Sequence, residues 1–407
     1  MNRTQNPQDI FAPAAIRLYV FLITTLLIYA AVVLYRYFPN AYVWEELFIN
    51  YEGGFIRRGL LGQIFFLIDR VVPISLVYPV LYAVLFYIFL YVSYKKLVSV
   101  FDPIVVAFLF ICPVLFLLPA TDRYVFGRKD LFLEILLLCI AQACIRCFAQ
   151  GKPALYRNTL YISFFFMLGT LIHEMMIFYF PLFAVLLGAA YARLKKMPQW
   201  LLITGGLFVA ALLSAVIFPG DTDMREAVCA SWRQSYPELS CKRAMRFIGV
   251  SLYDNTMLSW AHHRNLITMG SVFLGAALSA IPLVFLWKAY RPSAAIRDLF
   301  SASPLLRFAF WPAVCAPFLL SVLANDFGRH ISAAFVSWLF FLYAVFAVRP
   351  QAAAPWLYML KEAIAASPRR RWAVYLFSLA YGLCWRMIHH APVGESLVIP
   401  GVLLYLQ

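Results

Sequence analysis

Apolar runs of roughly 15–23 residues recur along the whole chain, each near the ~20 residues that an α-helix needs to cross a bilayer. Hydrocarbon offers no partner for backbone N–H and C=O groups, so spanning segments are helices or a closed barrel. These runs are too long and continuous for barrel strands, which leaves helices. Hydrophobic residues make up 64% of the 407 and charged residues only 13%, far from a water-soluble composition. The expected fold class is all-α, one polytopic integral membrane domain over residues 1–407. Spans fall near residues 16–38, 72–94, 103–120, 131–149, 158–172, 176–192, 199–218, 266–287, 305–324, 331–348 and 372–388, about 11 transmembrane helices. The fifth and sixth almost touch at Ile172-His173-Glu174, which predicts a tight helical hairpin. The run 16–38 is too long for a signal-peptide core, so no cleavable leader is expected. The apolar tail, Glu395 to Gln407, is too short to span.

Charge sets an expected orientation. With the N-terminus inside, the short inner loops and termini hold 19 of the 34 Lys and Arg, among them Lys95-Lys96, Lys195-Lys196 and Arg369-Arg370-Arg371, as the positive-inside rule requires. Of the 19 acids, only Asp9, Asp102, Asp298 and Glu362 are inside. The other acids and all six histidines lie at outer helix ends or in outer loops. The expected location is the bacterial inner membrane, with the active face periplasmic. The net charge of +15 fits orientation and contact with anionic membrane lipids; no nucleic-acid-binding module is present. Six of the eight cysteines fall in helices, where they serve as small hydrophobes. Cys229 and Cys241 share the largest outer loop, residues 219–265, where a disulfide suits an oxidising compartment.

Four outer turns carry the same mixture of acid, cation and imidazole. The first outer loop, residues 39–71, contains WEELFINYEGGFIRRGLLG. Its apolar residues suit short interfacial helices, and Gly53-Gly54 permits a sharp turn or close approach to a ligand. Arg57 and Arg58 stand on the side that the charge rule disfavours, which points to an anionic partner at headgroup depth; pairing with Glu45, Glu46 or Glu52 is the alternative. The second turn, TDRYVFGRKD, places Asp122, Arg123, Arg128, Lys129 and Asp130 within ten residues. The third is His173-Glu174 at the hairpin tip, and the fourth is NDFGRH, with Asp326, Arg329 and His330. Ionisable groups below the water surface are costly and mark function. Together they predict one outward-opening polar cavity, with arginines for a phosphate and a carboxylate as general base. The large loop adds Trp232, Arg233, Tyr236, Trp260, His262, His263 and Arg264, a sugar-stacking surface or a set of interface anchors. No cofactor is expected: no Gly-rich nucleotide loop is present. An acidic pair is compatible with a divalent cation, but no ligand set demands a metal.

With its helix count and a first outer loop bearing Glu45, Glu46 and Glu52 after helix one, the chain resembles the GT-C class of integral-membrane glycosyltransferases. The resemblance implies a sugar passed from a polyprenyl-(pyro)phosphate donor to a glycan or lipid acceptor, in cell-surface polysaccharide synthesis. It also implies an acid of the first loop as catalytic base, which favours Glu46 or Glu52, with Glu45 beside them. The chain departs from the class in having Glu-Glu in place of an Asp-X-Asp or Asp-Glu pair. It shows no large C-terminal soluble domain and no WWDYG motif, departures that argue against a metal-dependent oligosaccharyltransferase. An O-antigen-type polymerase or ligase, using Arg225, Arg233, Arg243, Arg246 and His262, is the second expectation. A transporter or flippase of an anionic or lipid-linked solute is the third.

Overall fold

The computed structural model describes residues 13–122, 125–149, 151–250, 254, 257, 266–323 and 326–383. The first half of the described chain forms α1 (Pro13–Arg36), α2 (Tyr42–Leu47), α3 (Gly59–Asp69), α4 (Ile74–Val98), α5 (Pro103–Phe110), α6 (Leu118–Thr121), α7 (Asp130–Ala149), α8 (Gly151–Ile172) and α9 (Met176–Arg193). The second half forms α10 (Met197–Ile217), α11 (Thr222–Arg233), a 3₁₀ turn at Ala244–Phe247, α12 (Leu266–Tyr290), α13 (Ser293–Phe300), α14 (Pro304–Leu323), α15 (Phe327–Val348), α16 (Pro355–Ala365) and α17 (Pro368–Leu383). No strand occurs among the described residues. Among the described residues, eight helices, α1, α4, α7, α9, α10, α12, α14 and α15, contain segments long and apolar enough to cross a membrane. The chain is a multi-pass membrane protein.

The remaining three expected spans differ in instructive ways. Residues 103–120 do not make one helix. α5 stops at Phe110, residues 111–117 run as turns, and α6 is a single turn. Pro113 and Pro119 interrupt the backbone ladder, and the irregular stretch is tolerated because Val114, Leu115, Phe116 and Leu117 are buried in protein. α8 begins at Gly151 instead of near 158, since Pro153 suits a first turn and Lys152, Tyr156 and Arg157 are exposed. α17 has 16 described residues, and the expected end of that span, 384–388, lies outside the described residues, as do His389, His390 and the tail.

Three helices form the core. α7, α9 and α15 pack on one another, with α8 against α7 and α9, α14 against α9 and α15, and α10 against α9. The spanning part of α15 is 83% buried, whereas that of α10 is 17% buried and faces lipid. Small residues let these backbones approach. Gly188 of α9 sits so close to α10 and α14 that a Cβ would lie 2.6 Å from Leu306 and 2.8 Å from Trp200. Trp200 in turn donates from Nε1 to Ala184 O at 2.8 Å.

The first loop is a packed cap. α2 and α3 do not span; they fold over the end of the bundle where α7 and α15 begin. Trp44 Nε1 donates to Leu34 O at 2.8 Å, and Trp232 Nε1 of α11 donates to Phe48 O at 2.7 Å, with the Phe48 and Trp232 rings stacked at 4.1 Å. Gly53 approaches the backbone of Met224, so the diglycine lets the first loop pack closely on α11. Gly62 lies against residues 47–49, where a Cβ would fall 1.9 Å from Ile49 O. Asp221 caps α11 by accepting from Met224 N at 2.8 Å. Cys229 and Cys241 are bonded to each other, twelve positions apart.

Two outcomes follow for the cap. In the unreduced protein, Cys229 and Cys241 resist maleimide, and mass mapping finds label there only after reduction. A loop of this size contributes about 3 kcal/mol, so reduction lowers the melting temperature. Gly62→Ala forces α3 off the 47–49 backbone and costs roughly 1–3 kcal/mol, read as an earlier thermal transition.

Candidate functional site: a buried ionic network

α2, the turn before α7, the α8–α9 hairpin tip and the start of α15 converge on one set of charges. Glu46 is central and 1% exposed. Its Oε2 accepts from Arg128 Nε at 3.1 Å, and its Oε1 lies 3.7 Å from His173 Nε2 and 3.8 Å from Arg329 Nη1. Asp326 Oδ2 joins Arg128 Nη2 at 3.2 Å to Arg329 Nη2 at 3.0 Å. Arg329 Nε lies 3.6 Å from Asp130 Oδ2. The Arg128 guanidinium also covers the Tyr42 ring at 4.8 Å.

A second branch runs through Arg58. Its guanidinium grips both carboxylate oxygens of Glu174, with Nε to Oε2 at 2.7 Å and Nη2 to Oε1. Arg58 holds a left-handed backbone, φ 69°, at the entry to α3. Lys129 steadies this strained residue by donating from Nζ to Arg58 O at 2.7 Å. Lys129 is 0% exposed. Burial, opposed by Glu46 and Glu174 and reinforced by Arg58 and Arg128, lowers its pKa to about 8.

Electrostatics fix the protonation of the rest. Burial alone would raise Glu46, yet Arg128, Arg329 and Lys129 hold it at about 2. Glu174 is also held well below the usual carboxylate range, by Arg58 against the effect of burial. Burial and Arg58 push His173 well below its ordinary value, so the ring is neutral. Met175 N donates to His173 Nδ1 at 3.3 Å, which assigns the ring proton to Nε2, facing Glu46. Four carboxylates thus meet four permanent or near-permanent cations around one neutral imidazole.

The network is not closed at its middle. Glu46 Oε1, His173 Nε2, Arg329 Nη1 and Nε, and both carboxylate oxygens of Asp130 are buried without a hydrogen-bond partner among the described residues. Their mutual separations of 3.6–3.8 Å are too long for direct bonds and right for a shared polar group between them. Unsatisfied buried polar atoms cost about 1–3 kcal/mol each, so six in one place mark a position built to hold hydroxyl groups or water. Among the described residues, no group of three His, Cys, Asp or Glu is arranged to hold a metal ion.

Nine of the candidate residues therefore share one network: Glu46, Arg58, Arg128, Lys129, Asp130, His173, Glu174, Asp326 and Arg329. Others do not join it. Glu45 points away, accepting from Ser240 Oγ at 3.0 Å and from the amides of Lys242, Arg243 and Met245 at 3.2, 2.6 and 3.3 Å. That carboxylate folds the 240–245 segment and is removed as a candidate base. Glu52 is exposed, and its Oε1 accepts from Gln63 Nε2 at 3.2 Å, outside the network. Arg57 turns toward the large loop, donating from Nη2 to Val250 O at 2.9 Å and from its amide to Phe218 O. Asp122 is buried, and its carbonyl closes the turn through Val125 and Phe126. His330 is buried in the first turn of α15. Arg123, and Trp260, His262, His263 and Arg264, lie outside the described residues.

Three buried residues beside the network were not singled out from the sequence. Tyr42 lies under Arg128. Glu134 is buried one helical turn below Asp130, and the buried Tyr179 hydroxyl has no partner among the described residues. The DLFLE spacing of Asp130 and Glu134 on an apolar helix was the available signal.

The acid limb of stability tests the network. Glu46 is depressed from 4.5 to about 2 in the folded state. Its stabilising contribution is therefore complete above pH ~4.5 and lost as pH falls towards ~2, on the order of 3 kcal/mol in all. Thermal melts in detergent across that window fall for the unmodified chain and flatten in Glu46→Gln, which is less stable at neutral pH. Arg58→Ala leaves Glu174 buried and unpaired and lowers stability by about 3 kcal/mol, a loss that Arg58→Ala/Glu174→Gln partly restores. No family model matches the chain, and neither does any curated protein or solved structure.

Proposed function

We propose that this protein is a membrane-embedded glycosyltransferase that moves a sugar from a polyprenyl-(pyro)phosphate donor to a glycan or lipid acceptor, at the outer face of a bacterial inner membrane. The observation that carries the reading is the convergence of four separate turns on one buried, balanced charge network with unfilled polar atoms at its centre. A structural ion network of this size would close its own hydrogen bonds. This one leaves carboxylate oxygens, an imidazole N–H and guanidinium N–H groups within 4 Å of one another and without hydrogen-bond partners among the described residues. Alternating acceptors and donors of that kind match sugar hydroxyls, each of which gives one hydrogen bond and takes another.

Roles follow from the surroundings of each group. Asp130 has both carboxylate oxygens without a hydrogen-bond partner among the described residues, so it is the network carboxylate left open to take a proton. The acceptor hydroxyl oxygen attacks the anomeric carbon, its proton passes to Asp130, and the bond from that carbon to the phosphate oxygen breaks with the electron pair leaving on the phosphate. Glu46, held at low pKa, is a counterion that orients Arg128, Arg329 and His173. Arg57 is the cation suited to the departing phosphate. It has no carboxylate within 4 Å among the described residues, and burial with the neighbouring Arg58 lowers its pKa against the pull of Glu174. A half-buried guanidinium without a counterion is an anion site.

The other expectations find less support. In the large loop, Arg233 donates to Leu239 O at 3.0 Å and Arg246 covers the Phe247 ring at 4.8 Å, so these arginines hold the loop together. For a transporter, charged groups would continue through the bilayer centre. Here, among the described residues, the charges that continue from the network end at Glu134, in the second turn of α7.

Transfer from a synthetic polyprenyl-phosphate sugar, measured with purified protein in nanodiscs, tests the reading. Asp130→Asn lowers turnover on the order of a hundredfold or more with little change in donor binding. Arg57→Ala weakens donor binding and turnover far more than the small drop in melting temperature from its lost bond to Val250 O explains. Wild-type rates in both variants, or no transfer to any acceptor by the unmodified protein, overturn it.

A further inference from the structure

At the opposite end of α15, 22 residues and roughly 33 Å from the ionic network, α12 and α13 meet in a corner. The corner is joined to the chain after α15 by the bond from Ala354 N to Ala289 O, 2.7 Å. It contains a cleft of about 580 Å³ lined by Trp287, Lys288, Arg291, Ser293, Ala294, Arg297 and Trp356. Three cations line it and no acid does. Lys288, Arg291 and Arg297 are all exposed, and among the described residues none of them has a carboxylate within 4 Å.

Arg291 is placed at a cost. Its amide closes the last turn of α12 on Trp287 O at 2.8 Å, and its φ is +47°. That is the position after a helix end where glycine is the unstrained choice. An arginine there keeps a guanidinium at the lip of the cleft. Arg297 comes from a different element, α13, whose other face is buried through Ala295, Ile296, Leu299 and Phe300. Cations that only complement the end of α12 would not need this second source.

The cleft also has a continuation. Ile281, Val284, Trp287 and then Lys288 and Arg291 recur every three or four residues on α12, and all are exposed. This stripe lies on a helix that crosses the membrane and extends roughly 15 Å from Ile281 to the cationic lip. An apolar track of roughly 9 Å along Ile281, Val284 and Trp287, ending in three guanidinium and ammonium groups with two tryptophans in the lining, matches an amphiphile and not a free anion.

We propose that the α12–α13 corner is a binding site for an anionic phospholipid, with the phosphate held by Lys288, Arg291 and Arg297 and one acyl chain laid along Ile281 and Val284. The site is separate from the ionic network and stands whatever reaction that network performs. By the orientation expected from charge, it draws its lipid from the inner leaflet, where anionic headgroups attract basic clusters.

Native mass spectrometry of the full chain, released from detergent after incubation with dioleoyl phosphatidylglycerol or dioleoyl phosphatidylcholine, tests the proposal. Phosphatidylglycerol is retained at least about tenfold more tightly than phosphatidylcholine. The Lys288→Ala/Arg291→Ala/Arg297→Ala variant loses that preference. Arg369→Ala/Arg370→Ala/Arg371→Ala, which removes as much charge from α17, keeps it. Arg291→Gly retains the turn without strain, so the variant folds and binds phosphatidylglycerol more weakly. Equal loss in the α17 variant, or no loss in the corner variant, overturns the proposal. Displacement of the lipid by millimolar inorganic phosphate overturns the lipid assignment and makes the corner a site for the free anion.

Discussion

The carboxylate of Glu46 between Arg128, Arg329 and His173 is the interaction on which the site end of the bundle depends. One arginine comes from the turn before α7 and the other from the first turn of α15, while the histidine ends α8. These elements reach the same place because α7, α9 and α15 pack as a tight core and begin or end at one depth. These groups are buried, so each charge is stabilised chiefly by its neighbours. The geometry of the cap, of the hairpin tip and of the α15 start is therefore held jointly: none can move without exposing or stranding a charge.

The cap adds a second layer of constraint. α2 presents Glu46 to the network from one side and Glu45 to the 240–245 backbone from the other. The disulfide ties that segment to α11, and α11 packs on Phe48 and on Gly53. A short six-residue helix with little intrinsic stability is thus clamped on both faces. Rigid support of this kind is what a catalytic constellation needs, because small displacements forfeit most of its effect.

Much of the architecture was legible in the sequence, because apolar runs of spanning length leave few alternatives in a bilayer. The grouping of His173-Glu174, Asp326/Arg329 and Arg128-Asp130 was legible too, since buried charges on several turns must find one another. Assignments within adjacent pairs were not. Glu45 and Glu46 are neighbours on a helix and point about 100° apart, and only the packing of α11 decides which faces the arginines. Arg57 and Arg58 diverge because Arg58 takes a left-handed conformation that no propensity announces. The broken segment 111–117 escaped notice for a different reason. Its composition is as apolar as a spanning helix, and the cue lay in Pro113 and Pro119 alone.

The equal count of acids and bases in the network has an evolutionary corollary. A change at position 46, 128, 326 or 329 that alters charge leaves the remainder with an odd unit in a dry environment, and a second change at a partner restores neutrality. Sequences related to this one are thus expected to vary at these four positions in concert, as exchanged or jointly deleted pairs. The correlation would tie the first loop to residues nearly three hundred positions away in the chain.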